Sequence, residues 1–151
     1  MDFLKRTITI AIASVSPFIM LLCFGEKQSL SQYYTTDAHA IFILTNVLTA
    51  YFFLSLPEWK YSGVCLTLLT AFSVEHYPDF HNIIAIIFFV TAFIALYRAK
   101  RFIWYSWIYV ACLSLLFISI LWAEIAGILV LCAYHFHILI YKEILESNRA
   151  I

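Results

Sequence analysis

Two carboxylates and two imidazoles fall within seven residues of this chain, Glu75-His76-Tyr77-Pro78-Asp79-Phe80-His81. Side chains of this kind move protons in general acid–base chemistry or ligate a zinc-like metal. Asp37, His39 and Glu124 carry the same chemistry elsewhere in the chain. The spacing alone is no metal signature, since H-x4-H occurs freely. A plainer account also exists. Turns are polar because water solvates them, Asp79 suits a helix cap, and Glu124 suits the positive end of a helix dipole. What separates the two accounts is whether the fold gathers these groups.

The elements that position them are apolar. Of 151 residues 64% are hydrophobic and 12% charged, against roughly 45–50% and about 25% in soluble domains. Mean hydropathy is +0.93. This composition predicts an all-α, polytopic membrane protein in the lipid bilayer, a single domain over 1–151. Net charge is zero, so nothing marks nucleic acid as a partner. Cys23, Cys65, Cys112 and Cys132 are scattered one per apolar segment, without a C-x-x-C pair, which favours packing over zinc or disulfides. Neither a P-loop, a Rossmann glycine pattern nor a G-x-S-x-G elbow is present, which argues against nucleotide and serine-elbow chemistry.

Six apolar segments are legible, at about 7–24, 38–56, 59–74, 82–97, 102–121 and 124–141. Each is near the ~17–25 residues that cross the hydrocarbon core. The first resembles a signal peptide but lacks a small-x-small site before Gly25, so it is expected to stay as a span. Pro17 should kink it, with Thr9 or Ser14 available to satisfy freed backbone. The last two segments form one long apolar run, split at Trp122-Ala123-Glu124 because a single helix of that length overshoots the bilayer.

Six spans with the N-terminus inside put Lys5, Arg6, Lys60, Arg98, Lys100, Arg101, Lys142 and Arg149 on the cytoplasmic side and only Lys27 outside. The positive-inside rule demands that asymmetry. Both termini are therefore expected in the cytoplasm. Asp37 and His39, the Glu75–His81 turn, and Glu124 then share the outer face.

Inside the spans, ionisable groups are expensive unless paired or facing a cavity. Glu124, Ile128, Leu131 and His135 share one face of the sixth segment, with His137 nearly opposite. His39 and Asn46 share a face, and Thr67, Thr70 and Ser73 form a stripe. These predict a polar-lined interior open at the outer rim. Interhelical hydrogen bonding explains the same residues without a cavity.

Ser29-Leu30-Ser31-Gln32-Tyr33-Tyr34-Thr35-Thr36, followed by Phe42, resembles the first-loop motif S-x-S-x-Y-Y-H-T-x-x-R-D-x-F of small bacterial six-helix membrane proteins that form a domain-of-unknown-function family. Gly63 with Ala71-Phe72, His81 with Ala85 and Phe88-Phe89, and Glu124 are similar to that family's third, fourth and last helices. The resemblance implies six helices in a bacterial inner membrane and points to Ser31, Tyr34, His81 and Glu124. It departs where the motif has histidine, arginine and aspartate, since Thr35, His39 and Ala40 stand there. A serine, an aspartate and histidines at one membrane face bear a distant resemblance to alkaline-ceramidase and adiponectin-receptor hydrolases, which have seven helices and an S-x3-H element this chain lacks.

Two functions follow as expectations. One is a module that binds a lipid or small ligand, or pairs with membrane subunits or a second copy of itself, with Ser31, Tyr34, His76 and His135 as binding groups. The other is a metal-dependent hydrolase, with His39 and His81 holding a divalent metal such as zinc and Asp37 or Glu124 activating its water.

Overall fold

In the computed structural model, which describes residues 3–149, the chain forms six α-helices and no strand among the described residues. They are α1 (Phe3–Phe24), α2 (His39–Leu54), α3 (Lys60–Ala71), α4 (Pro78–Arg98), α5 (Trp104–Leu113) and α6 (Ile120–Arg149). Each helix packs on the next, and α6 returns to α1, so the six close into a ring. A six-residue 3-10 segment, Leu30–Thr35, lies in the first connection and packs on α2 and α6. The side chains of Arg101 and Arg149, assigned above to the cytoplasmic side, lie outside the described ones.

Local chemistry sets the boundaries. Gly25 takes a positive φ of 75° and its N–H returns to the Leu21 carbonyl at 3.1 Å, the left-handed stop that glycine makes cheaply. Pro57 opens a single 3-10 turn before α3. Pro78 occupies the first turn of α4, where its missing N–H has no consequence. The fourth helix therefore starts four residues before the expected Asn82, and Asp79 lies in its first turn instead of capping it. The split between the last two helices also moves. Ser119 accepts the Trp122 N–H on its hydroxyl at 3.4 Å and the Ala123 N–H on its carbonyl at 3.1 Å. It is the N-cap that the apolar reading overlooked, and it puts Glu124 in the second turn of α6. Within α1, Ser14 and Thr9 donate to Ala11 and Lys5 carbonyls, not to the Ala13 carbonyl that Pro17 frees.

Three helices are long and apolar enough to cross a membrane: Phe3–Phe24, Pro78–Arg98 and Ile120–Leu145. Helix α3, with 12 residues, covers only about 18 Å at 1.5 Å per residue. It packs closely on α2. A Cβ on Gly63 would stand 2.8 Å from Leu54 Cγ, 2.9 Å from its backbone N and 3.1 Å from the Ala50 carbonyl. Small residues permit such backbone approach between helices in lipid. Large apolar side chains also face outward all round the ring, among them Leu22, Val47, Ile86, Trp107 and Ile118. An apolar core of Phe53, Trp59, Phe88 and Leu131 fills one part of its inside, and Met20, Leu30, Tyr33 and Phe42 form a second core under the first connection.

Candidate functional site

Three connections meet at one end of the ring. Leu30 donates its backbone N–H to the Glu124 carboxylate at 2.6 Å, and Leu121 donates its own to the Gln28 carbonyl at 3.1 Å. These two bonds fasten the first connection to the start of α6. A third link runs from the same connection to α4, where Ser31 Oγ lies 2.8 Å from His81 Nε2. His81 is only 3% exposed. Its other nitrogen, Nδ1, is 2.7 Å from the Phe72 carbonyl in the turn before α4.

That geometry fixes the tautomer. A carbonyl only accepts, so Nδ1 carries the proton and donates it to Phe72. In the neutral ring Nε2 then has a free lone pair, and the Ser31 hydroxyl donates to it. The result is a hydroxyl, an imidazole and an orienting acceptor in line, the arrangement by which a serine is activated. Beside the pair the turn exposes aromatic rings. Phe72 packs edge-on against Tyr77 at 5.4 Å and Phe80 at 4.8 Å, both of which are exposed.

The remaining expected residues do not join it. Asp37 and His39 are exposed at the start of α2. His76 is exposed, its Nδ1 2.9 Å from Ser73 Oγ within its own turn. Tyr34 packs edge-on against Phe42 at 6.3 Å. The buried tyrosine of the motif is its neighbour. Tyr33 is fully enclosed and donates to the Gly25 carbonyl at 2.6 Å, and burial followed by the Glu26 charge pushes its phenol up, so it stays protonated. No three His, Cys, Asp or Glu residues stand close enough to share a metal among the described residues, and both nitrogens of His81 are engaged. The expected set of His39, His81 and a carboxylate therefore does not fit a metal centre in this geometry.

Along the ring's interior the polar residues divide. Thr67 and Thr70 donate to carbonyls of their own helix and line a groove with Val47, Tyr51 and Leu54 of α2. The stripe thus spends its hydroxyls locally, as threonines in helices do. Asn46 and His135 do reach an interior cavity of about 80 Å³, which is otherwise mostly apolar. His135 is 7% exposed and packed by Phe52, Phe53, Trp59 and Tyr134, with ring centroids 4.5–5.5 Å away. Its Nε2 has no hydrogen-bond partner.

A second cavity, of about 290 Å³, shares Ile10, Phe52 and His135 with the first and lies toward the opposite end of the ring. Arg6, Arg98 and Lys142 line it, with Glu58 as one carboxylate against three cations. Leu56, Trp59, Ile138 and Leu139 supply its apolar walls. The Arg6 Nε is buried without a partner. In the sequence these cations stand out as orientation markers. Their spacing held more: His135, Ile138, Leu139 and Lys142 fall at i, i+3, i+4 and i+7, one face of α6, as Arg6 and Ile10 do on α1.

No family model matches the chain, and no curated protein or solved structure matches it.

Proposed function

We propose that this is a six-pass membrane protein that binds an anionic amphiphile in the cavity at its cytoplasmic end. Support for six passes comes from the two ends. The first, third and fifth connections are tied together through Ser31–His81, Leu30–Glu124 and Gln28–Leu121. Residues from the other ends of α1, α4 and α6 line the second cavity. A chain crossing back and forth six times produces this alternation, and the apolar exterior suits lipid. Lys5, Arg6, Lys60, Arg98, Lys100 and Lys142 gather toward the second end, which the positive-inside rule makes cytoplasmic.

One observation carries the ligand reading. Arg6, Arg98 and Lys142 converge on a single concavity that holds one carboxylate, Glu58, and is otherwise walled mostly by apolar side chains. Interface anchors spread round a perimeter need no such convergence. Arg98 and Lys142 are exposed and Arg6 half-buried, and the buried, unpartnered Arg6 Nε beside the cavity leaves a donor for an anion to take. A phosphate or carboxylate head would sit among the cations, with its apolar part against Ile10, Leu56 and Leu139.

The test uses purified protein in neutral detergent. Phosphatidylglycerol should raise the melting temperature in a saturable way, phosphatidylcholine should do so far less, and Arg6→Gln/Arg98→Gln/Lys142→Gln should abolish the difference. Equal stabilisation by both lipids, or an unchanged response in the triple variant, would overturn the reading. A full response to inorganic phosphate alone would replace the amphiphile with a free anion.

A further inference from the structure

We infer that Ser31 is an activated nucleophile, with His81 as its base, that accepts the acyl group of a carboxylic ester at the end of the ring opposite the cationic cavity. The observations are independent of that cavity. Ser31 Oγ and His81 Nε2 stand at 2.8 Å, and the Nδ1–H is committed to the Phe72 carbonyl at 2.7 Å. Here the acceptor on Nδ1 leaves Nε2 basic and aimed at the hydroxyl, the requirement of nucleophilic catalysis. Ser31 is half-buried, so a reagent can reach it.

The step balances without a cofactor. Ser31 Oγ attacks the ester carbonyl carbon as its proton passes to His81 Nε2, and the imidazolium keeps its Nδ1–H on Phe72. The tetrahedral centre collapses, the carbon–alkoxy bond breaks, and the Nε2 proton leaves with the alcohol. Water then attacks the acyl-Ser31 carbonyl, gives a proton to Nε2, and the carboxylic acid departs as Ser31 regains its hydrogen. The substrate is an ester with a hydrocarbon chain, because the exposed rings of Tyr77 and Phe80, packed on Phe72 beside His81, offer that chain an apolar seat. Glu124 acts as a positioning residue, since its bond to the Leu30 N–H holds the residue next to Ser31.

An alkyl fluorophosphonate, which phosphonylates activated serines, reads this directly. Purified protein in neutral detergent, shown folded by its melting transition, should be modified at Ser31 and not at Ser29, an internal control in the same loop. Ser31→Ala should lose the adduct. His81→Asn keeps a donor near the Nδ1 position but no base, and should slow modification about a hundredfold or more, the size of a lost general base. Folded wild-type protein that stays unmodified at Ser31, or that modifies Ser29 equally fast, would overturn the inference whether or not His81→Asn folds. A folded His81→Asn protein modified at the wild-type rate would overturn it as well.

Discussion

Leu30 and Glu124 stand 94 positions apart in the chain, yet the N–H of the first reaches the carboxylate of the second at 2.6 Å. With Ser31–His81 and Leu121–Gln28 it makes the first connection a built part of the ring's end. The contact is a short hydrogen bond that joins the first connection to the start of α6.

Removing that acceptor should loosen the connection. Glu124→Ala leaves a half-enclosed Leu30 N–H without its partner and should cost about 1–3 kcal/mol. Glu124→Gln retains a carbonyl oxygen at the same reach and should cost less. Denaturation in detergent measures both, and limited proteolysis should cut between Gly25 and Ala38 faster in the alanine variant. A Glu124→Ala protein as stable as the parent would mean that the bond contributes nothing.

The glycines give a contrast with opposite signs. Gly63→Ala places a methyl 2.9 Å from the Leu54 backbone N and 3.1 Å from the Ala50 carbonyl. Backbone cannot step aside as a side chain can, so the helices must separate, at about 1–3 kcal/mol. At Gly127 the new Cβ would meet Tyr109 Cε2 at 3.4 Å and nothing nearer. That is ordinary contact, and alanine is favoured over glycine in a helix by about 1 kcal/mol. Gly127→Ala should therefore melt at the same temperature or higher, and Gly63→Ala clearly lower.

Composition and charge made the helical, apolar architecture legible, because a bilayer constrains both strongly. That the first connection, the start of α4 and the start of α6 would meet at one end was legible too. Which atoms would touch was not. Nothing in the spacing of Ser31 and His81 says that a 50-residue separation closes to a hydrogen bond, or that the Phe72 carbonyl selects the tautomer. The metal reading of His39 and His81 took residue type as proximity. Ser119 was hidden because its neighbours are all apolar, and the cavity cations because one residue type serves both as anchor and as ligand.

His135 separates packing from binding. Its Nε2 is buried without a partner among aromatic rings. Replacing such a group with an apolar one of similar shape is near neutral or stabilising, so His135→Phe should melt no lower than the parent. The same histidine lines both cavities. Loss of one hydrogen-bonding group there should weaken the stabilisation by phosphatidylglycerol about two- to tenfold, the equivalent of 0.5–1.5 kcal/mol. A lower melting temperature with unchanged lipid response would assign His135 to the core alone.

Orientation is the last point that experiment can decide. Glu26 and Lys60 are each exposed or nearly so near opposite ends of the ring, the first in the connection held by Glu124 and the second at the start of α3. Single cysteines at these positions, in a chain whose exposed Cys23 and other cysteines are replaced by alanine, should respond oppositely to a membrane-impermeant thiol reagent in intact cells. Glu26→Cys should react at once, and Lys60→Cys only after the membrane is breached. The physical reason is charge: six of the basic residues gather near the Lys60 end and Lys27 alone near the other, an imbalance that sets orientation at insertion. The reverse pattern would place the Ser31–His81 pair in the cytoplasm, and reaction of both cysteines in intact cells would break the alternation of passes itself.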